Sequence, residues 1–400
     1  MDLKTPIFIP RIDDKNLSLI FSPPPAILID AQINTWRKNT VAEYKNKNVK
    51  VIINPSTHRI QYENAQNKNY KKLPYYIKPS EVESIYSNPT FRLSNLVQPC
   101  IKYQIDNGAD IILAPFLHSD ENHSRPFNTN LTMISESIKN SDILNGKLPL
   151  YAVINVSCHM LDSISSINYI VSMYRNDKFK DLSGYFILID GFKEKEVSEQ
   201  SIRGLSKLVY SLSIYKDVIV NYVGGFGDAL CAIGASGIVS GLWYGNAMTI
   251  KELDVNDEDA GKMKKNRTYI PELFTYMNDD DVKKIRYSCK CIVCDGSFPI
   301  NIADKKVHYY LRRSDIIDKM YDLKKEDRLE FIISEIEKAL VIGKGYVDDF
   351  AIKINNIYLH RWLSVLKEVR NWKNPEEEDK EVEKLLSIID RNRKNDSSNS

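Results

Sequence analysis

Short runs of almost continuously apolar residues recur along the first 250 positions of the chain. Seven are found, at 26–30, 49–55, 109–115, 148–156, 184–190, 217–225 and 236–241. Strands buried on both faces of a sheet have this composition, because neither face meets water. Segments with apolar residues at helical spacing lie between most of the runs. Buried strands that alternate with helices predict a parallel sheet.

Seven strands joined by helices and short loops favour a (β/α)8 barrel over residues 1–250, with one strand that the pattern does not locate. An open, doubly wound sheet is the alternative. The turn GGFGDA at 224–229 departs from the dinucleotide-binding fingerprint and follows the sixth run, so it gives that alternative little support. The predicted fold class is therefore α/β, a TIM-like barrel.

The alternation ends after about residue 245, and the rest of the chain divides by composition. Residues 251–285 form a charged connecting segment, and residues 286–370 hold a cysteine cluster followed by helical patterns. We predict a zinc-binding helical subdomain for that second part. Residues 371–400 are rich in charge and end in polar residues, which predicts one short charged helix and a disordered tail.

Composition and charge restrict the class of protein. The chain is 43% hydrophobic and 27% charged, with a formal net charge of +2. No apolar run reaches the roughly 18 residues of a membrane span, and the first residues do not resemble a signal peptide. We therefore expect a cytoplasmic protein without membrane contact, in which thiols stay reduced. The nearly balanced charge neither favours nor excludes a nucleic-acid partner.

Three of the six cysteines lie within six residues, as C-x-C-x-x-C, at Cys289, Cys291 and Cys294. In a reduced compartment this clustering is typical of a metal site, and three thiolates from one turn suit a structural zinc ion. The fourth ligand would then come from elsewhere in the chain, and His308 and His360 are the two histidines downstream. The alternative is that the three cysteines are buried small hydrophobic residues.

The cysteine motif followed by a distant histidine on a helix resembles the zinc signature of the tRNA-guanine transglycosylase family. This family includes the queuine and archaeosine types and a divergent branch that inserts 7-deazaguanines into DNA. Four other segments are similar to the family's sequences: TPIFIP at 5–10, LVQPCIKYQIDNGADIILAP at 96–115, VHYYLRR at 307–313 and YLHRWLSVLKEV at 358–369. The resemblance implies a (β/α)8 barrel with a zinc subdomain. It makes His360 the preferred fourth ligand, with His308 as the alternative.

The resemblance also implies a reaction and its partners. In the family, an aspartate attacks C1′ of a guanosine in nucleic acid and expels guanine, and a 7-deazaguanine base then displaces the enzyme. A second aspartate acts as acid and base. One zinc ion is structural, and some members pair with another subunit. Carboxylates suit this reaction because the attacked carbon resembles an oxocarbenium ion.

This chain departs from the family pattern at the positions of the acids. One family aspartate falls on Asn54, and the acidic pair after the next strand falls near Pro115 and Phe116. A family glutamine falls on Asn155. The segment of the nucleophile matches residues 235–241, which contain no acid. A catalytic site in this chain therefore needs carboxylates from other positions.

Polar residues that follow the predicted strands supply such candidates, because active sites of these barrels lie at the carboxyl ends of the strands. Asp190 is the predicted attacking carboxylate, since it ends a buried strand. Asp228 and His118 are the predicted proton donors. The residues predicted to bind the substrate are Asp30, Asn54 and Asn155, of which the two asparagines present both a donor and an acceptor to a purine edge.

Three functional hypotheses remain open. The first is an active transglycosylase that exchanges guanine for a 7-deazaguanine in DNA or tRNA, alone or as an oligomer. The second is a catalytically silent homologue that keeps zinc and acts as an accessory subunit or nucleic-acid binder. The third is a barrel hydrolase or lyase with a zinc ribbon. Lysine and tyrosine mix at 37–50 and 67–78, a composition that suits nucleic-acid contact and equally an exposed, lysine-rich edge.

Overall fold

A computed structural model describes residues 5–12, 17–143, 148–242, 247–250 and 266–372. Its main sheet consists of eight parallel strands: β1 (Ile7–Ile12), β2 (Ala26–Asp30), β3 (Lys50–Asn54), β4 (Ile112–Leu113), β5 (Leu150–Ser157), β6 (Gly184–Asp190), β7 (Asp217–Asn221) and β8 (Gly237–Gly241). The strand order is β3-β2-β1-β8-β7-β6-β5-β4, and a parallel bridge between Ile52 and Ile111 joins the two edges. The sheet is thus nearly closed, and the predicted TIM-like fold class is confirmed.

The strand that the apolar pattern did not locate is β1. It pairs with β2 on one side and β8 on the other, so it completes the barrel. Its sequence IFIPRI contains Pro10 and Arg11, which interrupt the apolar run. Arg11 occupies the last interior-facing position of the strand, where the barrel interior becomes polar.

The helices lie outside the sheet and connect its strands. They are α1 (Ala31–Asn34), α2 (Lys38–Lys45), α3 (Val82–Ser87), α4 (Pro89–Arg92), α5 (Gln98–Asp106), α6 (Arg125–Ile143), α7 (Ile164–Tyr174), α8 (Glu199–Ser213) and α9 (Phe226–Ile233). Several begin with a side-chain cap. Ser198, for example, accepts a hydrogen bond from the backbone N–H of Ser201 at 2.9 Å, which satisfies one of the free donors at the start of α8.

Side chains along each strand alternate between two apolar environments. Ile9, Leu28 and Leu188 point into the barrel, where they form its inner core. Ile27 and Ile187, one position away, pack against the helices. Both faces are buried, which explains the continuous apolar runs. At the carboxyl ends of the strands, the positions that face the barrel interior become polar. The residues at these positions are Arg11, Asp30, Asn54, Asn155, Asp190 and Asn221.

The C-terminal part begins with a two-stranded antiparallel sheet, β9 (Arg267–Ile270) and β10 (Thr275–Asn278), and a short helix α10 (Asp279–Lys284). Three longer helices follow: α11 (Ile302–Tyr321), α12 (Lys325–Phe350) and α13 (Ile357–Val369). Residues 251–265 of the predicted connecting segment, and residues 373–400 with the predicted charged helix and tail, lie outside the described residues. The domain boundaries therefore stay predictions.

The C-terminal helices pack on the outside of the barrel. Arg203 on α8 forms a two-pronged ion pair with Glu368 on α13, with both N–O distances at 2.7 Å. Helix α11 contacts β1 and α9. In the described part of the chain, no helix is both long and apolar enough to cross a membrane.

Candidate metal centre and barrel mouth

Cys289, Cys291, Cys294 and His308 converge on one point of the C-terminal part. One ligand atom from each lies within 4.8 Å of the other three, and all four residues are buried or half-buried. His308 Nδ1 lies 3.5 Å from the sulfur of Cys291 and 3.3 Å from that of Cys294. The cluster thus presents three sulfurs and one imidazole nitrogen toward a common centre.

A tight hairpin holds the three cysteines together. The N–H of Cys289 donates to the carbonyl of Ser297 at 2.8 Å, and the N–H of Gly296 donates back to the carbonyl of Cys289 at 2.9 Å. Gly296 has a φ of 83°, a left-handed conformation that glycine adopts without steric cost. The backbone N–H of Cys291 also points at the sulfur of Cys289, at 3.4 Å. Hydrogen bonds within the hairpin therefore help to orient the three sulfurs.

Helix α11 supplies the fourth group. Its buried His308 donates from Nε2 to the carbonyl of Tyr269 on β9, at 2.9 Å. This hydrogen bond leaves Nδ1 unprotonated and directed at the sulfurs, as is usual for histidines that bind metals. The preference for His360 is therefore corrected in favour of His308, its alternative. His360 lies on α13, where its side chain is exposed to solvent.

The protonation of the thiols also suits a cation. A hydrogen bond from Cys294 lowers the pKa of the Cys289 thiol to about 3, although burial opposes this shift. The same hydrogen bond, together with burial, raises the pKa of Cys294. One thiolate is thus stabilised, and a cation at the centre would replace the protons of the other two.

The donor set and its spacing fit a tetrahedral ion. Ligand atoms around zinc stand about 3.8 Å apart when the Zn–S bonds are about 2.3 Å long. The distances from His308 Nδ1 to two of the sulfurs are 3.5 and 3.3 Å, close to that value. Zinc binds thiolate and imidazole ligands, whereas magnesium, calcium and manganese prefer oxygen ligands. The residues present therefore fit a metal ion of this class.

Five of the six predicted mouth residues lie at the carboxyl end of the barrel. Asp30 and Asn54 pair on neighbouring strands, where the Asn54 amide donates to the Asp30 carboxylate at 2.7 Å. The side-chain oxygen of Asn54, Oδ1, accepts from the backbone N–H of Ser56 at 3.1 Å. Both ends of the Asn54 amide are thus used within the protein, which leaves it poorly suited to read a purine.

The other three residues meet on the opposite wall. His118 Nδ1 lies 3.4 Å from Asn155 Oδ1, and His118 Nε2 lies 3.9 Å from Asp190 Oδ2. Asp190 follows β6, which is four strands away from β2 in the eight-stranded order. The carboxylates of Asp30 and Asp190 therefore face the mouth from opposite sides.

Two neighbours of His118 hold its other contacts. Asp120 Oδ1 lies 2.7 Å from His118 Nε2, and Ser157 Oγ lies 3.0 Å from the same nitrogen. Both partners use one nitrogen, so the three residues do not form the relay of a serine hydrolase, in which the acid and the serine contact different nitrogens. Hydrogen bonds from Ser157 and His118 lower the pKa of Asp120, although burial opposes them.

Side chains fix the backbone of the loop that carries His118. The Gln61 amide accepts from the His118 N–H at 2.6 Å and donates to its carbonyl at 3.1 Å. Asn130 binds the N–H and carbonyl of Leu117 in the same way, at 2.7 and 2.9 Å. Four amide contacts and a parallel bridge from Ser119 to Val156 of β5 therefore place this loop, and His118 is held in a defined position.

A short segment covers the mouth beside β6. The Ile250 N–H donates to Asp190 Oδ1 at 2.6 Å, and the Gly191 N–H donates to the carbonyl of Met248 at 2.8 Å. Met248 and Ile250 pack into the inner core of the barrel. The backbone N–H of Ile250 thus holds one carboxylate oxygen of Asp190, and the other oxygen lies on the side of His118.

Asp228 does not belong to the mouth, which corrects its prediction as a proton donor. It lies in the first turn of α9 and is fully buried against Arg313 of α11. Arg313 donates to Asp228 Oδ1 from two nitrogens, at 3.0 and 2.7 Å. Burial raises the pKa of Asp228, and the Arg313 guanidinium opposes that shift. Asp228 anchors the C-terminal helices to the barrel.

Two buried amides in the mouth lack partners. Within the described part of the chain, Asn155 Nδ2 and both amide atoms of Asn221 form no hydrogen bond, although both residues are completely buried. Asn221 ends β7 at an interior position, and sequence reasoning missed it. The available signal was the polar residue that closes the apolar run DVIVN. Arg11 was missed as well, and its guanidinium lies 4.3 Å from the ring centroid of Tyr222.

Comparisons with known proteins add little to this description. No protein-family model matches the chain, and no curated protein matches it. A crystal structure from Coccidioides immitis, provisionally described as a fructose-1,6-biphosphate aldolase, aligns with 80% of this chain and 89% of its own, with 10% identity and a TM-score of 0.31. A similarity at that TM-score carries no inference, so the function must be inferred from the site itself.

Proposed function

We propose that this protein exchanges guanine for a 7-deazaguanine base in nucleic acid, with the reaction in the barrel mouth. Two features together support the proposal: a nearly closed barrel, and a Cys3His cluster that follows its eighth strand. The sequence resembles the tRNA-guanine transglycosylases at these features. Zinc is the ion that the cluster suits best, with a structural role, because all four ligand positions are supplied by protein.

The observation that carries the proposal is the set of unpaired amides beside a carboxylate. A buried polar group without a partner costs about 1–3 kcal/mol, so it is rarely retained unless a ligand or water satisfies it. Asn155 and Asn221 together offer two NH2 groups, and Asn221 also offers an unpaired oxygen. A guanine or deazaguanine edge presents the complementary acceptors and donors.

The chemistry assigns one role to each wall residue. Asp190 Oδ2 forms a bond to C1′ as the bond from C1′ to the guanine nitrogen breaks, and the electron pair leaves with guanine. His118 supplies the proton to the departing base. The incoming 7-deazaguanine nitrogen then attacks C1′, expels Asp190 and returns a proton to His118. Each step conserves charge and atoms, and needs no redox partner.

The silent-homologue hypothesis is the second candidate, and the eighth strand favours it. The described residues 235–241 contain no acid, and Ser240 there is fully buried, 3.1 Å from the hydroxyl of Tyr309. Part of the segment that resembles the family's nucleophile stretch is thus in contact with α11. Under this hypothesis the protein alone exchanges no base and needs an active partner.

Mass spectrometry of nucleosides separates the two candidates and identifies the polymer. DNA and tRNA from cells with and without the gene are digested and analysed for 7-deazaguanine nucleosides. The proposal predicts that one polymer loses such a nucleoside when the gene is removed, and that purified protein restores it in vitro. Restoration that requires a second protein favours the accessory subunit. An unchanged nucleoside content in both polymers contradicts base exchange.

A further inference from the structure

A positively charged cleft lies where the loop after β6 meets the C-terminal part of the chain, outside the site described above. It has a volume of about 310 Å³, and is formed by the loop after β6, the β9–β10 hairpin and the chain that precedes α13. Lys195, Arg267 and Lys353 line it, one from each of these three segments. Cations from three separate segments thus converge on one space large enough for a small ligand.

The cations that line the cleft outnumber its one carboxylate, Asp281, by three to one. None of the three forms an ion pair with a carboxylate in the described part of the chain. Lys195 donates to Thr275 Oγ1 at 2.7 Å and lies 5.1 Å from the centre of the Tyr358 ring. Burial lowers its pKa, Arg267 lowers it further, and Glu194 opposes both.

The polar groups of the cleft indicate more than a simple anion site. Asp281 also lines it, but Lys284 lies 3.2 Å from that carboxylate and offsets its charge. Asn278 Oδ1 is buried there and has no hydrogen-bond partner among the described residues. A ligand with both an anionic group and a hydrogen-bond donor would satisfy the cations and this acceptor together. A nucleotide unit has that chemistry, because its phosphate is anionic and its base carries N–H donors, to which RNA adds the 2′-hydroxyl.

We propose that this cleft binds one nucleotide unit of the nucleic-acid strand that places another of its bases in the barrel mouth. The inference rests on the proposed function for its choice of polymer. Lys195 lies five residues after Asp190, so their Cα atoms are at most about 18 Å apart. A strand in a duplex advances about 3.4 Å per nucleotide. The bound unit therefore belongs to a nucleotide within roughly five positions of the reacting one.

Salt-dependent binding tests the cleft without requiring catalysis. Affinity for a labelled single-stranded 20-mer is measured by fluorescence anisotropy between 50 and 200 mM salt, for the parent protein and for Arg267→Ala and Lys353→Ala. Both side chains are exposed, so these variants should fold. Lys139→Ala, an exposed lysine on α6, is the matched control. Inorganic pyrophosphate and a free mononucleotide serve as competitors.

Each phosphate contact contributes about 0.7 to the slope of log affinity against log salt for single strands. Raising the salt fourfold, from 50 to 200 mM, lowers the affinity of the parent protein by a certain factor. For each cleft variant this factor should be about 2.6 times smaller, because four to the power 0.7 is about 2.6, while Lys139→Ala keeps the parental slope. Unchanged slopes in both cleft variants overturn the inference. Competition by the mononucleotide as strong as by the 20-mer, nucleotide for nucleotide, also overturns it and indicates a free-nucleotide site.

The outcomes for the cleft and for the proposed function are distinguishable. Reduced slopes without any base exchange in the nucleoside assay support the cleft and contradict the proposed chemistry. Base exchange at the parental rate, with parental slopes in both variants, supports the chemistry and contradicts the cleft.

Discussion

Replacement of Asp228 by asparagine should destabilise the protein rather than impair a proton transfer. The side chains of Asp228 and Arg313 are 1% and 0% exposed, so the guanidinium depends on this carboxylate for its charge compensation. Arg313 also donates to the Tyr309 hydroxyl at 2.7 Å and to the Gly224 carbonyl at 3.1 Å, which are neutral acceptors. Asparagine preserves the shape and one acceptor, but it removes the charge.

The expected cost follows from this burial. Removal of one partner from a buried ion pair costs about 3–5 kcal/mol, and the retained acceptor places Asp228→Asn near about 3 kcal/mol. An unfolding entropy of about 2.1 cal/mol/K per residue gives roughly 0.84 kcal/mol/K for 400 residues. The melting temperature should therefore fall by about 4 °C. Replacement of both residues by apolar ones of similar volume, Asp228→Leu with Arg313→Met, should recover most of this loss.

Thermal unfolding followed by circular dichroism, at fixed zinc concentration, measures the effect. Asp177→Asn is the control, because Asp177 is exposed, and it should leave the melting temperature unchanged within about 1 °C. A melting temperature within 1 °C of the parent for Asp228→Asn, combined with loss of base exchange, would refute the reasoning. That result would return Asp228 to the catalytic site.

Three further predictions concern the metal, one helix contact and alkaline pH. His308→Ala should lose stoichiometric zinc by inductively coupled plasma mass spectrometry, whereas His360→Ala should keep one zinc per chain; the reverse result would restore His360 as the ligand. Gly204→Ala should lower the melting temperature by about 1–4 °C, because its Cβ would lie 1.9 Å from a backbone carbonyl oxygen, whereas Gly345→Ala, with no atom within 4 Å, should not lower it; equal melting temperatures contradict this. Burial raises the pKa of Tyr185 to about 12, whereas the pKa of a tyrosine in the unfolded chain is about 10. The contribution of this residue to the free energy of unfolding is therefore complete below about pH 10. It is lost as the pH rises toward 12, at about 1.4 kcal/mol per pH unit. Chemical denaturation at several pH values in that range gives the slope of the unfolding free energy against pH. This slope should be smaller by the equivalent of one proton in Tyr185→Phe, and equal slopes contradict the assignment.

The apolar pattern predicted the barrel because both faces of each strand are buried, which makes the strands readable as continuous runs. The same signal failed at β1, where Arg11 turns toward the polar mouth and Pro10 precedes it. Polar residues at the ends of the apolar runs also predicted many of the mouth residues, because the positions that face the barrel interior become polar only at that end. Asn221 follows this rule, but it is neither an acid nor a histidine and matches none of the family's positions.

Long-range contacts decided what the pattern did not. Asp228 follows a strand by seven residues, but a turn and the start of α9 direct it to Arg313, 85 positions later in the chain. The choice of His308 over His360 depends on the carbonyl of Tyr269, which fixes the imidazole from a strand 39 positions earlier. Neither partner can be identified from local spacing, because one pair joins the barrel to α11 and the other joins β9 to α11, and the members of each pair lie far apart in the sequence.

The most direct test of the central claim measures base exchange by purified Asp190→Asn. Labelled 7-deazaguanine is incubated with the nucleic acid that the nucleoside analysis identifies, and incorporation is followed over time. The account predicts exchange by the parent and by Asp177→Asn, a covalent protein–nucleic acid adduct with both, and a loss of more than about 1,000-fold together with absence of the adduct in Asp190→Asn. Parental incorporation by Asp190→Asn, or an adduct that forms without this carboxylate, would contradict it.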